Sequence, residues 1–333
     1  MCRWTRAAIR GKSVGMRKFS LSPRDADFAQ DPFPAYEALR AMIDPDGPRA
    51  VMWDDLGMPV FVNHADVSAG LRDRRLGREV LHVATREDLG WPPDPPHLAA
   101  FRAFERHSLL DREPPAHTRL RRLVLHGFTS RAIARAAPGI EATAHALIDG
   151  FGDAPDLVAD YAQQLPLLAI ADLMGVPRDA APDMLAWSND MVGIYQARRD
   201  RAAEDCCVAA TLAFGRFMEG VIADRRRRPG TALIDDLIAA EAEGDRLSGE
   251  ELVSTCILLM NAGHEATSSA IANAARAVMA HDLPRDVFAG PGADRMVDEL
   301  LRWDPPLHMF TRYALEDQVF CGVALKRGDE IGL

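Results

Sequence analysis

The sequence has no arrangement of cysteines that would form a disulfide framework or a metal site. Its 333 residues include five cysteines, an odd number, and none of them belongs to a C-x-x-C pair. Such usage is typical of a reduced protein, and we predict that it is cytoplasmic. The sequence also lacks the H-E-x-x-H motif of zinc enzymes, the G-x-S-x-G motif of serine hydrolases and a Walker loop.

An excess of positive charge and long apolar runs are absent too. Lysine and arginine number 39 against 49 aspartates and glutamates, which gives a formal net charge of −10. Because an acidic chain repels a phosphate backbone, we expect no nucleic acid as a partner. One stretch, 252–275, is long enough to cross a membrane, but a glutamate in its middle would be costly in hydrocarbon. We therefore expect no membrane either.

Acidic residues are missing from the first 24 positions, whereas the first eighteen contain six lysines and arginines. The pattern superficially resembles an organelle transit peptide, but a disordered leader with a second start at Met16 is the simpler explanation. We predict a disordered basic leader over 1–24 and a single domain over 25–333.

Most of the chain places apolar residues at the three- and four-residue spacing of amphipathic helices. The predicted helices are 32–43, 97–110, 115–126, 131–149, 156–174, 179–196, 201–225, 231–242, 249–280 and 294–303. Strand patterns cover 49–53, 59–63, 318–325 and 330–333. Because the late strands have no neighbours except each other, we expect the two ends of the chain to share one small sheet. The predicted fold class is mainly α with a minor β part.

The longest predicted helix contains several polar residues. Ser248 and Glu251 form a capping box at its start. In its middle, Gly263 costs about 1 kcal/mol relative to alanine, which either a crossing helix or the approach of a flat ligand would explain. Glu265 and Thr267 could carry protons, or Glu265 could pair with a distant arginine. The sequence alone leaves these alternatives open.

Two further pairs stand one helical turn apart. His117 and Arg121 share a helix face and could hold a buried carboxylate, although spacing alone favours a solvated basic face. Glu299 and Arg302 form an E-x-x-R pair, a spacing that is common in surface ion pairs.

In this order and spacing, these segments resemble the bacterial, soluble type of cytochrome P-450, the haem-thiolate monooxygenases. Residues 113–124 look like the C helix of that family and residues 262–267 like its I helix. Glu299-x-x-Arg302 looks like the K-helix pair, and Arg312 follows where the family has another basic residue. The resemblance covers most of the chain from about residue 32 onward. It implies the P-450 fold, a helical domain with a small β-sheet region.

The resemblance also implies roles for individual residues. Haem propionates would bind His117, Arg121 and Arg312, and the haem face would lie against Ala262 and Gly263. Proton delivery would use Glu265 and Thr267. A structural role would fall to Glu299 and Arg302. The substrate would contact Leu258, Asn261, His308 and Phe310.

One position departs from the family pattern in the I helix. The family usually has threonine directly after the acidic residue, where this chain has Ala266. Thr267, a water molecule or a substrate hydroxyl would therefore have to replace that threonine in proton delivery.

The resemblance implies haem b as the cofactor, electrons from NAD(P)H through a ferredoxin or flavodoxin, an apolar small-molecule substrate and a monomer. The family's iron-binding cysteine lies in a glycine-rich loop, and none of the five cysteines lies in such a loop. We therefore predict a chain that ends before the haem-thiolate segment and is inactive as it stands. The alternatives are a haem-free remnant or binding module, and a hydrolase that uses His264 and Glu265 with or without zinc.

Overall fold

Helices make up most of the protein. The computed structural model describes residues 15–125, 130–196, 199–242 and 245–333. The helices are α1 (Ala26–Gln30), α2 (Phe33–Ala41), α3 (His64–Gly70), α4 (Ala99–Glu105), α5 (Ala116–Leu125), α6 (Ser130–Asp149), α7 (Gln164–Met174), α8 (Ala181–Val192), α9 (Arg201–Arg227), α10 (Leu233–Ala239), α11 (Gly249–Ala280) and α12 (Ala293–Trp303). A π-helical turn, Leu157–Ala162, precedes α7.

A small sheet joins the two ends of the chain. The strands are β1 (Lys18–Phe19), β2 (Val51–Trp53), β3 (Met58–Val60), β4 (Leu76–Gly77), β5 (Glu241–Ala242), β6 (Asp245–Arg246), β7 (Thr311–Ala314), β8 (Gln318–Phe320), β9 (Val323–Leu325) and β10 (Glu330–Gly332). Six of them form one sheet in the order β1-β2-β3-β10-β7-β4. Within it, β10 pairs in parallel with β3 and antiparallel with β7.

The predicted fold class is confirmed, and α11 has the predicted bounds 249–280. The prediction of a shared sheet is confirmed through β10, whereas the predicted strand 318–325 folds back on itself as the hairpin β8-β9. Helices α1 and α3 were not predicted. They have five and seven residues, so neither is long enough for apolar periodicity to reveal it.

The boundary predicted for the basic leader needs a correction. Residues 1–14 lie outside the described residues, but the expected disorder does not extend to residue 24, because Lys18–Phe19 is strand β1. The backbone N–H of Met52 donates to Arg17 O at 2.9 Å, and that of Asp54 donates to Phe19 O at 2.9 Å. These bonds place the end of the predicted leader in the sheet.

Helix α11 lies in the core of the helical region. Its Cys256, Ile257 and Met260 belong to the same buried apolar cluster as residues of α7, α8 and α9. Gly263 permits this packing, because a Cβ atom there would lie 3.1 Å from the side chain of Ile170 on α7. Of the two explanations for this glycine, close helix packing is therefore the one that the contacts support.

One helix in the described part of the chain, α9, is long and apolar enough to cross a membrane by length and composition alone. Its Phe214 and Met218 are buried in the core cluster, as they would be in the core helix of a globular protein. The stretch 252–275, which lies within α11, does not meet the same criterion.

The capping box of α11 generates the first prediction. Ser248 Oγ accepts from the N–H of Glu251 at 3.1 Å, and Glu251 Oε2 accepts from the N–H of Ser248 at 2.9 Å. We expect Ser248→Ala to lower the free energy of unfolding by about 1 kcal/mol in urea denaturation. Ser269→Ala, within the same helix, is the control and should change it by less than about 0.5 kcal/mol. Equal losses in both variants would contradict the capping explanation.

Candidate cofactor and substrate site

Helix α5 presents two polar side chains that no described residue engages. His117 and Arg121 lie one turn apart and line a cavity of about 510 Å3 beside Thr118. His117 is half-buried and Arg121 is exposed. Neither side chain forms a hydrogen bond or ion pair with another residue in the described ranges. Two donors on one helix face are therefore available to an anionic ligand.

The neighbouring Arg119 differs from this pair. Its guanidinium lies 3.3 Å from Asp245 Oδ2 and forms a second ion pair with Glu251, the capping residue of α11. This arginine thus fastens α5 to the start of α11. Arg119 therefore has a structural role, whereas His117 and Arg121 have no partner among the described residues.

Strand pairing brings Arg312 close to the start of α5. Gly77 of β4 pairs with Tyr313 of β7, and the N–H of the next residue, Arg78, donates to Glu113 Oε1 at 2.5 Å. Glu113 lies just before α5 and contributes a favourable charge to Arg312. Arg312 therefore lies in the same region as α5, although more than 180 positions separate it in the sequence from His117 and Arg121.

Arg312 itself has a half-buried side chain without a carboxylate bound to it. Its Nη1 donates to the carbonyl of Thr311 at 2.8 Å, the one side-chain hydrogen bond recorded for it among described residues. Burial, followed by the positive charge of Arg78, lowers the pKa of Arg312. Both effects disfavour the charged guanidinium. An anionic group bound there would oppose them, because a nearby negative charge favours the charged form.

Sequence reasoning missed the residues that build this corner. Arg78 Nη2 donates to Asp111 Oδ1 at 3.1 Å, so Arg78 is neutralised where Arg312 is not. A Cβ atom at Gly77 would lie 2.7 Å from Glu113 Oε1, so a larger residue there would displace the Glu113 carboxylate from its place beside Arg78. An arginine cluster at 72–78 is visible in the sequence, but nothing in it identifies Glu113 as the partner.

The residues in the middle of α11, 261–268, divide between its buried face and its exposed face. His264 is 3% exposed, whereas Glu265 and Thr267 are both exposed. Neither ring nitrogen of His264 has a hydrogen-bond partner among the described residues. Partial burial raises the pKa of Glu265, as a group that exchanges protons requires. Glu265 and Thr267 are two positions apart, about 200° around the helix axis, so their side chains leave α11 on different sides.

The remaining motif positions divide in the same way. Gly263 contacts α7 through Ile170, whereas Ala262 is exposed. Asn261 Nδ2 lies 4.0 Å from Met191 Sδ of α8, and Asn261 Oδ1 is buried without a partner in the described structure. Leu258, one turn earlier, is half-buried. Ala262 and Asn261 are therefore the positions with free surface or free hydrogen-bonding capacity.

His308 and Phe310, the other two predicted substrate contacts, line a cavity beside α2. The His308 ring packs against those of Phe33 and Tyr36, with centroids 6.0 and 5.9 Å away, and the three rings form a triangular cluster. Leu258 and Asn261 do not line this cavity. The four predicted substrate residues are thus divided between two places.

The E-x-x-R pair is formed. Arg302 donates from Nε and Nη2 to the two carboxylate oxygens of Glu299, at 2.7 and 2.6 Å. Both side chains are more than half exposed, so the pair by itself contributes little stability here.

The four described cysteines have different environments. Cys206 is exposed on α9, and burial raises the pKa of Cys207 to about 11 and that of Cys256 to about 12. Cys321 lies in a turn, 3.2 Å from Asp66 Oδ1. None of the four lines the cavity beside His117.

The hydrolase alternative has no support in the geometry. His264 is buried and Glu265 is exposed, so the two do not share a site. Within the described ranges, no group of three or more histidine, cysteine, aspartate or glutamate residues could hold a metal ion.

Comparisons with known proteins agree on one class of relatives. The chain is 34% identical over 321 residues to vitamin D(3) 25-hydroxylase of Pseudonocardia autotrophica, covering 92% of this chain and 73% of that protein. It is 31% identical to putative cytochrome P450 123 of Mycobacterium tuberculosis, covering 95% and 76%. The structure of P450BioI in complex with an acyl carrier protein ligated to hexadec-9Z-enoic acid has a TM-score of 0.81 at 26% identity, covering 92% and 78%. No protein-family model matches the chain.

The unpartnered ring of His264 generates the second prediction. We expect His264→Leu to raise the free energy of unfolding near neutral pH by about 1 kcal/mol, because it removes a buried polar group that lacks a partner. Burial lowers the pKa of His264, so the unfolded chain binds the proton more readily. Wild-type stability should therefore fall as the pH decreases below about 6.5, and the leucine variant should lose that part of the pH dependence.

Urea denaturation from about pH 7.5 to 5.5 measures both effects. His145→Leu, on the exposed surface of α6, is the matched control and should retain the wild-type pH dependence. A loss of about 2 kcal/mol or more in His264→Leu would instead show that a buried water molecule satisfies the ring.

Proposed function

The chain belongs to the cytochrome P450 family, and from this premise we propose that it serves in the insertion of one atom of O2 into an apolar small molecule. The family consists of haem-iron oxidoreductases, and several curated relatives carry the names of hydroxylases, monooxygenases or epoxidases. The observation that carries the proposal is the set of unpartnered donors at α5 and Arg312. Haem bound there would supply the oxygen chemistry.

The donor set suits the two propionates of haem. His117 and Arg121 would bind them from α5, and Arg312 would bind from β7. Each arginine can form two parallel charge-assisted bonds to a carboxylate. Ala262 would lie against the porphyrin through its exposed side chain, and Gly263, which packs on Ile170 of α7, would set the position of the α11 backbone beside it. Glu299 and Arg302 would support this end of the fold as a structural pair.

Proton delivery is assigned to α11. Glu265 would accept and donate protons, which its raised pKa and exposed carboxylate support. Thr267 would replace the threonine that the family usually has at the position of Ala266. Because Thr267 leaves the helix on a different side from Glu265, a water molecule between them would have to complete the path.

The substrate would be an apolar molecule with some polar groups. Leu258 would provide apolar contact, and the unpartnered Oδ1 of Asn261 would accept a hydrogen bond from it. His308 and Phe310 would contact the substrate farther along, at the cavity beside α2. The names of two relatives, a vitamin D(3) hydroxylase and a protein in complex with a carrier protein ligated to hexadec-9Z-enoic acid, support an apolar class.

Electrons would come from NAD(P)H through a ferredoxin- or flavodoxin-type partner, and the protein would act as a cytoplasmic monomer. None of the four described cysteines lines the cavity beside His117 and Arg121, and none belongs to a glycine-rich loop of the kind that carries the family's iron ligand. We therefore propose that these 333 residues bind haem through its propionates and do not turn over by themselves.

Haemin titration of the 333-residue chain, followed by its visible absorbance, tests the assignment. We expect His117→Ala, Arg121→Gln and Arg312→Gln each to weaken haem binding about tenfold, because each removes one or two bonds to a propionate. Arg216→Gln, on an exposed position of α9, is the matched control and should bind haem like the wild type.

The spectrum of the reduced, carbon-monoxide-treated sample separates the alternatives. A band at the position typical of thiolate ligation would contradict the proposal that this chain has no thiolate ligand. A featureless visible spectrum would favour the haem-free remnant or binding module instead.

A further inference from the structure

A second cavity, of about 450 Å3, lies between α2, the sheet and the segment 307–310. Its size is within the range of ~300 to 1,000 Å3 typical of small-molecule sites. Leu39 of α2, Trp53 of β2 and Phe61 after β3 form part of its wall and are nearly fully buried. These residues belong to well-packed elements, so the cavity is a preformed feature of the sheet region.

Most of the residues that line this cavity are apolar, and its polar side chains are hydrogen-bond donors or cations. Besides the phenol of Tyr36, two titratable side chains line it, Arg40 and His308, and no aspartate or glutamate does so among the described residues. Burial raises the pKa of Tyr36 to about 12, so its hydroxyl remains a neutral donor. All three groups donate hydrogen bonds or carry positive charge. A ligand with an apolar body and an anionic end that contacts these three side chains therefore matches the cavity.

Arg40 is the group best placed to bind the anionic end. It lies in the last turn of α2 and is exposed, and it forms no ion pair with any other residue of the described ranges. His308 is different, since its Nε2 lies 3.7 Å from Asp304 Oδ1 and its ring packs against both Phe33 and Tyr36. Arg40 thus remains available to a ligand, whereas His308 is held in place beside it.

We propose that this cavity binds an elongated apolar carboxylate, with its chain against Leu39, Trp53 and Phe61 and its carboxylate on Arg40. As a statement about substrate class, the inference rests on the proposed function. As a statement about binding, it needs neither haem nor turnover. Its failure and the failure of the haem assignment are therefore distinguishable, because they are measured with different ligands.

The test uses the whole 333-residue chain with decanoate, below its micelle concentration, as the probe. Trp53 is 3% exposed and lines the cavity, so a bound chain should change its fluorescence. Calorimetry gives the dissociation constant. We expect decanoate to bind with a change in tryptophan emission, and Arg40→Gln to weaken binding about fivefold, as suits an exposed arginine. Decanol, which lacks the charge, should bind wild type as weakly as decanoate binds Arg40→Gln.

Two control variants locate the ligand. Arg72→Gln removes an exposed arginine that follows the cavity residue Leu71 but does not line the cavity, and it should bind decanoate like the wild type. Trp53→Phe should keep binding and lose the fluorescence change. Absence of decanoate binding, equal affinity for decanoate and decanol, or a full fluorescence change in Trp53→Phe would each overturn the proposal.

Discussion

The close approach of α7 to α11 at Gly263 is the constraint on which the candidate site depends. A Cβ atom at this position would lie 3.1 Å from the side chain of Ile170, a contact so close that Ile170 would have to move to accept it. With α7 in place, His264 and Ser268 face the core, and Ala262 and Glu265 remain on the open side. The 3.6-residue repeat of the helix then decides which residues are available for chemistry.

Electrostatics around β4 and β7 complement this packing. The guanidinium group of Arg78 is near enough to that of Arg312 to disfavour the charged form of Arg312 and lower its pKa. Asp111 neutralises the first, and Glu113 accepts a backbone bond beside it. Arg312 has a backbone carbonyl in place of such a carboxylate. A fold that holds a partly buried arginine in this way is suited to an anionic ligand, because binding supplies the missing charge.

Local patterns predicted the elements and several of the site residues, whereas contacts between distant segments had to come from the structure. The bounds of α11 and its capping box follow from periodicity and from Ser248 and Glu251 three positions apart. The resemblance to the P-450 family likewise predicted His117, Arg121 and Arg312 as propionate ligands from short motifs, and this assignment stays a prediction. The role of Glu113 could not be predicted, since its partner Arg78 is 35 positions away. Helical spacing alone predicts that Glu265 and Thr267, two positions apart, do not share a face.

One short segment connects the two regions. Phe310 lines the cavity beside α2, and Arg312, two residues later, belongs to the region of α5. The backbone of Phe310 exchanges two hydrogen bonds with Leu333, at 2.9 and 2.8 Å, and β7 continues this pairing with β10. Residues two apart in an extended chain project to the same face. The hydrogen bonds to Leu333 and the pairing of β7 with β10 therefore fix the positions of Phe310 and Arg312 together.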